Sequence, residues 1–221
     1  VADVAKGHID PTFRVDAFHG FREGEVVPGK AVLDRLHMLD SDVRRGLLPA
    51  SKSCPIHPAF ATGPKGTHLG AYADTGHLSA QGAWEVFTKA LSSLDEEIPE
   101  RPEEPLSILG YALAPHPERA RFDLYLTLPP SYTGPFRAPQ EVRDLAGRHA
   151  SVATLRLCEG ELKVRKWDLP WWPLGRDNEA LMDILEVNAD ERDLLAGWFN
   201  AKDFTLRPTT LGWRDGGRRI Y

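Results

Sequence analysis

The chain has 221 residues, 42% of them hydrophobic and 27% charged, with 27 Lys and Arg against 32 Asp and Glu. Such a composition suits a globular domain with a sizeable core and excludes a largely disordered chain. The net charge of −5 argues against a protein that lives by gripping nucleic-acid backbone, and no apolar run approaches the ~20 residues that span a bilayer.

The two cysteines, Cys54 and Cys158, form neither a disulfide framework nor a zinc motif and are expected as reduced thiols. Residues Val1 to Gly7 lack a signal-peptide pattern, so a cytoplasmic protein that meets no membrane is expected. The start at Val and the stop on a strand pattern at Tyr221 hint at a piece of something larger.

Residues 1 to 28 read as an irregular or short-strand segment, with Phe13, Val15, Phe18 and Phe21 between charges. Val32, Leu33, Leu36, Leu39 and Val43 repeat at helical spacing and predict a helix over about 30 to 45. Leu48 to Gly76 is rich in Pro, Gly, Ser and Thr and reads as loop, with a short strand near Leu69 to Ala73. Ala80, Ala83, Trp84, Phe87, Ala90 and Leu94 mark a second helix, capped by Ser79. The acidic, proline-bearing stretch Asp95 to Pro105 is the candidate internal boundary of an otherwise single domain.

Beyond it the pattern is more regular. Leu106 to Leu113 is an apolar strand-like run; Arg121 to Leu128 alternates, with Phe122, Leu124 and Leu126 on one face and Arg121, Asp123, Tyr125 and Thr127 on the other. Pro139 opens a helix carrying Val142 and Leu145. Strands Ser151 to Cys158 and Leu162 to Trp167 meet across Glu159-Gly160 as a hairpin. Helical pattern returns at Leu181, Ile184 and Leu185, then at Leu194, Leu195 and Trp198 with Asn188 as N-cap, before strands Thr205 to Trp213 and Arg218 to Tyr221. The order after residue 79 is thus helix and hairpin three times over. It predicts an α+β fold whose antiparallel sheet, open or closed into a barrel, is built from successive αββ units with helices on one face.

If helices cover one face, Arg121, Tyr125, Lys163, Arg165, Arg219 and Tyr221 share the other. Cations and phenols in an apolar enclosure suit a diphosphate: Arg forks match phosphate oxygens, Lys adds point charge and Tyr donates a hydrogen bond. The alternative is that these are plain solvated strand faces.

The helix and hairpin order, with "RFDLYLTLP", "GELKVRKW" and "GGRRIY" in successive hairpins, resembles the aromatic prenyltransferases of the antiparallel-barrel (αββα) type over about residues 106 to 221. The resemblance implies transfer of an allylic (prenyl) group from a diphosphate donor to a small aromatic acceptor, in secondary metabolism. Arg121, Tyr125, Lys163, Arg165, Arg219 and Tyr221 would form the diphosphate shield. No cofactor is implied beyond an optional Mg2+. Asp123 stands where a second cation would be expected, and Glu161 is the carboxylate available as catalytic residue.

Other features are less specific. Trp167, Trp171 and Trp172, around Pro170 and Pro173, could stack on a flat acceptor or plug the edge of the core. Six of the eight histidines precede residue 80; His57, His68 and Asp74 or His77 could hold a divalent metal for a hydrolase or oxygenase, although no compact motif joins them. Gly63-Pro64-Lys65-Gly66-Thr67 reads as a turn rather than a phosphate loop. A non-catalytic binding or assembly subunit is the third reading.

Overall fold

The computed structural model describes residues 29–36, 39–63, 66–102, 106–116, 120–170, 182–184, 186–199, 210–214 and 217–220. The expectations for residues 1 to 28, and for Leu181, Leu185, Trp171, Trp172 and Tyr221, fall outside them.

Strands β1 (Ile56–Gly63), β2 (Gly66–Asp74), β3 (Ser107–Ala114), β4 (Arg121–Leu128), β5 (Ser151–Cys158), β6 (Glu161–Pro170), β7 (Thr210–Arg214) and β8 (Gly217–Ile220) form one antiparallel sheet. Its strand order is the chain order, β1 through β8. Among the described residues β1 and β8 do not pair, so the sheet is open rather than closed into a barrel. The helices are α1 (Gly29–Arg35), α2 (Ser41–Leu47), α3 (Ala80–Ser92), α4 (Gln140–Ala146) and α5 (Ala189–Phe199), giving a mixed α+β fold. No described helix is long and apolar enough to cross a membrane.

Register converts alternation into two chemically distinct faces. One row of Cα partners runs Ile56, Ala73, Tyr111, Leu124, Leu155 and Val164 across six strands. A second row on the same face runs Ile108, Leu126, Ala153, Trp167 and Trp213. Helices α1 to α4 pack on this face. Phe87 of α3 meets Tyr111 at 5.8 Å and Phe122 at 6.1 Å between ring centroids, and α4 sets Val142 and Ala146 against Leu169 and Trp213. Gly46 of α2 lies so close to the sheet that a Cβ there would collide with Leu113. Its carbonyl accepts a 3.0 Å hydrogen bond from the buried Tyr111 hydroxyl. Burying a ring as large as Phe87 contributes about 1.5–3 kcal/mol through water exclusion alone.

Two details differ from the sequence reading. The single helix expected over 30 to 45 is two, because Asp40 accepts from the backbone N–H of Asp42 and Val43 and starts a new helix there. Most of the stretch read as loop forms β1 and β2. Small and Gly/Pro residues hide that hairpin in the sequence, and Pro58 is tolerated because β1 is a sheet edge. Gly63 pairs with Gly66, so the Gly63–Thr67 motif lies at the hairpin turn and opens no helix. Ser79 caps α3 through the N–H of Gly82 as expected, and Asn188 accepts from the N–H of Glu191 ahead of α5. Both thiols are free, Cys54 buried and Cys158 half-buried.

Candidate functional site

The face opposite the helices carries the polar chemistry. Its first row of partners is His57, Tyr72, Ala112, Asp123, Arg156 and Lys163. The next is Asp74, Gly110, Tyr125, Thr154 and Lys166, and the third Ser107, Thr127, Val152, Asp168, Gly212 and Arg219. The β5–β6 register shifts between Thr154 and Leu155, leaving Arg165 as the extra residue of a bulge between Val164 and Lys166.

One half of this face is aromatic. Tyr72 and Tyr125 meet edge to face at 5.3 Å, and the His57 ring stands 6.2 Å from Tyr72. The glycine at 110 makes this possible: a Cβ there would collide with the Tyr72 ring and with the Ala73 carbonyl. Tyr72 thereby lies over β3 and donates a 2.8 Å hydrogen bond to the Leu109 carbonyl. Burial, with Asp74 nearby, pushes the Tyr72 hydroxyl well above its ordinary pKa. Burial likewise raises Tyr125, helped by the charges of Asp123 and Asp168. Both phenols are therefore neutral donors at physiological pH.

The other half is cationic. Arg156 grips Asp123 with two parallel bonds of 2.7 and 2.8 Å, a fork that holds the guanidinium above its usual value. Arg121 behaves differently: desolvation and the repulsion of Arg156 lower its pKa, with Asp123 opposing and Arg165 adding to the depression. Neither the Arg121 nor the Arg165 guanidinium has a hydrogen bond or ion pair among the described residues, and the Nε of Arg165 is buried. Among the described residues Lys163 pairs with Glu161 alone, at 3.5 Å on an exposed hairpin end. Deeper along the face, Asp168 is 1% exposed and is held by Lys166 at 2.9 Å and by the Thr154 hydroxyl at 3.5 Å. Desolvation outweighs these partners and raises its pKa above the ordinary carboxylate value.

The structure thus brings Arg121, Tyr125, Lys163 and Arg165 to one face. Arg219 takes the register position opposite Gly212, in the row of Asp168. Glu161 is on the same face at its outer end, with a side chain 75% exposed. Trp167 is not with them: it lies on the helix-covered face, where its Nε1 donates to the Phe136 carbonyl at 3.1 Å. Of the histidines, His77 meets the Ser53 carbonyl at 3.0 Å, and His68 stands opposite Ala61 in β2. Among the described residues no three His, Cys, Asp or Glu converge to hold a metal ion. Sequence reasoning passed over Tyr72, Arg156 and Asp168. Arg156 was legible, since Val152, Thr154 and Arg156 alternate with Ala153 and Leu155; Tyr72 lies in the short strand expected near Leu69 to Ala73, but its neighbour β1 was read as loop.

Comparison of the chain with protein-family models, curated proteins and solved structures gives no match.

Proposed function

We propose that the protein is a transferase that moves an allylic group from a diphosphate donor to a small aromatic acceptor. The observation that carries the reading is the juxtaposition, on one sheet face, of a cationic half with two uncompensated guanidinium groups and an aromatic half built on Tyr72 and Tyr125. Arg121 and Arg165 repel each other and Arg156 until an anion sits among them, so a doubly charged leaving group relieves a strain already present.

In this reading the allylic C–O bond breaks heterolytically and diphosphate departs with the electron pair, neutralised by Arg121, Arg165 and Lys163. The aromatic faces beside it shelter the carbocation from water. A ring carbon of the acceptor forms the new C–C bond and loses its proton to a carboxylate. Burial and a raised pKa favour Asp168 for that role over the exposed Glu161. The helix and hairpin succession, α3-β3-β4, α4-β5-β6 and α5-β7-β8, is read as three related units whose polar face lines the reaction space.

Calorimetric titration with an allylic diphosphate tests the reading. Arg121→Ala, Lys163→Ala and Arg165→Ala are each expected to weaken binding about tenfold, the scale of one charge-assisted contact. Unchanged affinity in all three rejects it. A protein that binds the donor but never releases diphosphate in the presence of aromatic acceptors is a binding module instead.

A further inference from the structure

A second basic constellation lies on the other side of the sheet. The loop after β4 and the helix α4 enclose a recess of about 70 Å³, lined by Tyr132, Arg137, Arg143, His149, Ser151 and neighbouring residues. Its floor belongs to the helix-covered face, because Leu128 pairs with Ser151 at the end of β4 and β5 and both are buried. It is therefore separate from the Arg121 and Arg165 cluster. Its volume is well above the ~10–15 Å³ that one water needs, and it suits a single tetrahedral oxyanion.

Two arginines and a histidine line this recess beside the hydroxyls of Tyr132 and Ser151, and among the described residues no Asp or Glu does. Arg143 is held in place by its own loop: Nε donates to the Ala138 carbonyl at 3.1 Å, and Nη2 donates to the Gln140 side chain. Those bonds use two of the five N–H donors of a guanidinium and leave the rest uncommitted among the described residues. Arg137 and His149 use backbone N–H groups to close the loop, bonding Gly134 and Ala146 carbonyls, while their side chains enter no ion pair or hydrogen bond among the described residues. Fixed donors and unneutralised charge around a recess of this size are what an oxyanion site requires.

We infer that the recess formed by Arg137, Arg143 and His149 binds a phosphate group, free or carried on a small molecule. The inference stands independently of the transferase reading.

Titration of the full-length chain with inorganic phosphate and, separately, with glycerol 3-phosphate tests it. Binding of either probe is expected, with Arg137→Gln and His149→Gln each weakening it about fivefold to tenfold and leaving the unfolding midpoint within a degree or so. These two variants are chosen because Arg143→Ala would also release the loop. Phosphate alone bound identifies a free-anion site; the ester bound more tightly identifies the phosphorylated molecule as the ligand. Loss of binding in Arg121→Ala with retention in Arg137→Gln and His149→Gln would overturn the inference, as would the absence of binding by both probes.

Discussion

The two faces of the sheet solve different problems with the same strands. On the helix-covered face the row from Ile56 to Val164 contains no charge, and the aromatic contacts of Phe87, Tyr111 and Phe122 lock α3 onto the middle strands. On the other face the matching row sets Asp123, Arg156 and Lys163 side by side, and the next ends at Lys166. The first face concentrates stability in burial; the second holds charges whose mutual repulsion is left partly unrelieved. Alternation along each strand lets one sequence write both, since successive side chains point to opposite sides.

If that division is right, the two faces must answer mutation differently. The largest effect belongs to the covered face: Phe87→Ala should lose about 3–5 kcal/mol, read as a shift in urea midpoint, because the cavity left against Tyr111 and Phe122 cannot collapse. A loss below a kilocalorie would mean that α3 is not the lock described. Gly110→Ala comes next. Its methyl would drive Tyr72 off β3 and press on the Ala73 carbonyl, for about 1–3 kcal/mol and a changed tyrosine fluorescence.

Asp123→Asn sharpens the comparison further. It removes half of a largely buried fork and should cost about 1–2 kcal/mol, discounted for partial exposure, yet it raises the positive charge of the face. Weaker stability with tighter diphosphate binding is the expected pair of results; loss of both would place Asp123 in a purely structural role. Asp168 supplies the pH signature. Its folded pKa is raised by burial, so between the unfolded and the folded value the native state still holds a proton that the unfolded chain has released. Stability should therefore fall as pH climbs from the unfolded value through the folded one, and that portion of the fall should vanish in Asp168→Asn, as denaturant midpoints across the acidic range would show. The smallest change expected is in Arg121→Ala, within about 0.5 kcal/mol of the parent by thermal unfolding, since an exposed cation with no ion pair among the described residues has little to lose. A marked destabilisation there would erase the contrast between the faces.

Much of this was readable before any coordinates. The period-two pattern of Arg121 to Leu128 and the helical spacing from Ala80 to Ala90 both survive, because each has apolar residues at the interval its geometry demands, while Leu94 falls just beyond the helix end. The shared face of Arg121, Tyr125, Lys163 and Arg165 followed from the same counting. What was illegible depended on partners distant in sequence. Strand β1 is written in small residues that carry no periodic signal, so although a short strand was expected near Leu69 to Ala73, its pairing and the contact of Tyr72 with Tyr125 stayed hidden. The bulge at Arg165 and the burial of Asp168 arise only when β5 and β6 are in register. Trp167 is a different case: its Trp/Pro-rich stretch allowed stacking on a ligand or plugging the edge of the core, and its strand position, turned toward Phe136, agrees with the second.

Because every strand lies beside its immediate predecessor in the chain, the sheet can grow vectorially during synthesis. Each emerging strand finds the strand it pairs with already made. Little loop entropy is lost at each addition, so assembly by stepwise zippering from β1 toward β8 should be quick for an eight-stranded architecture.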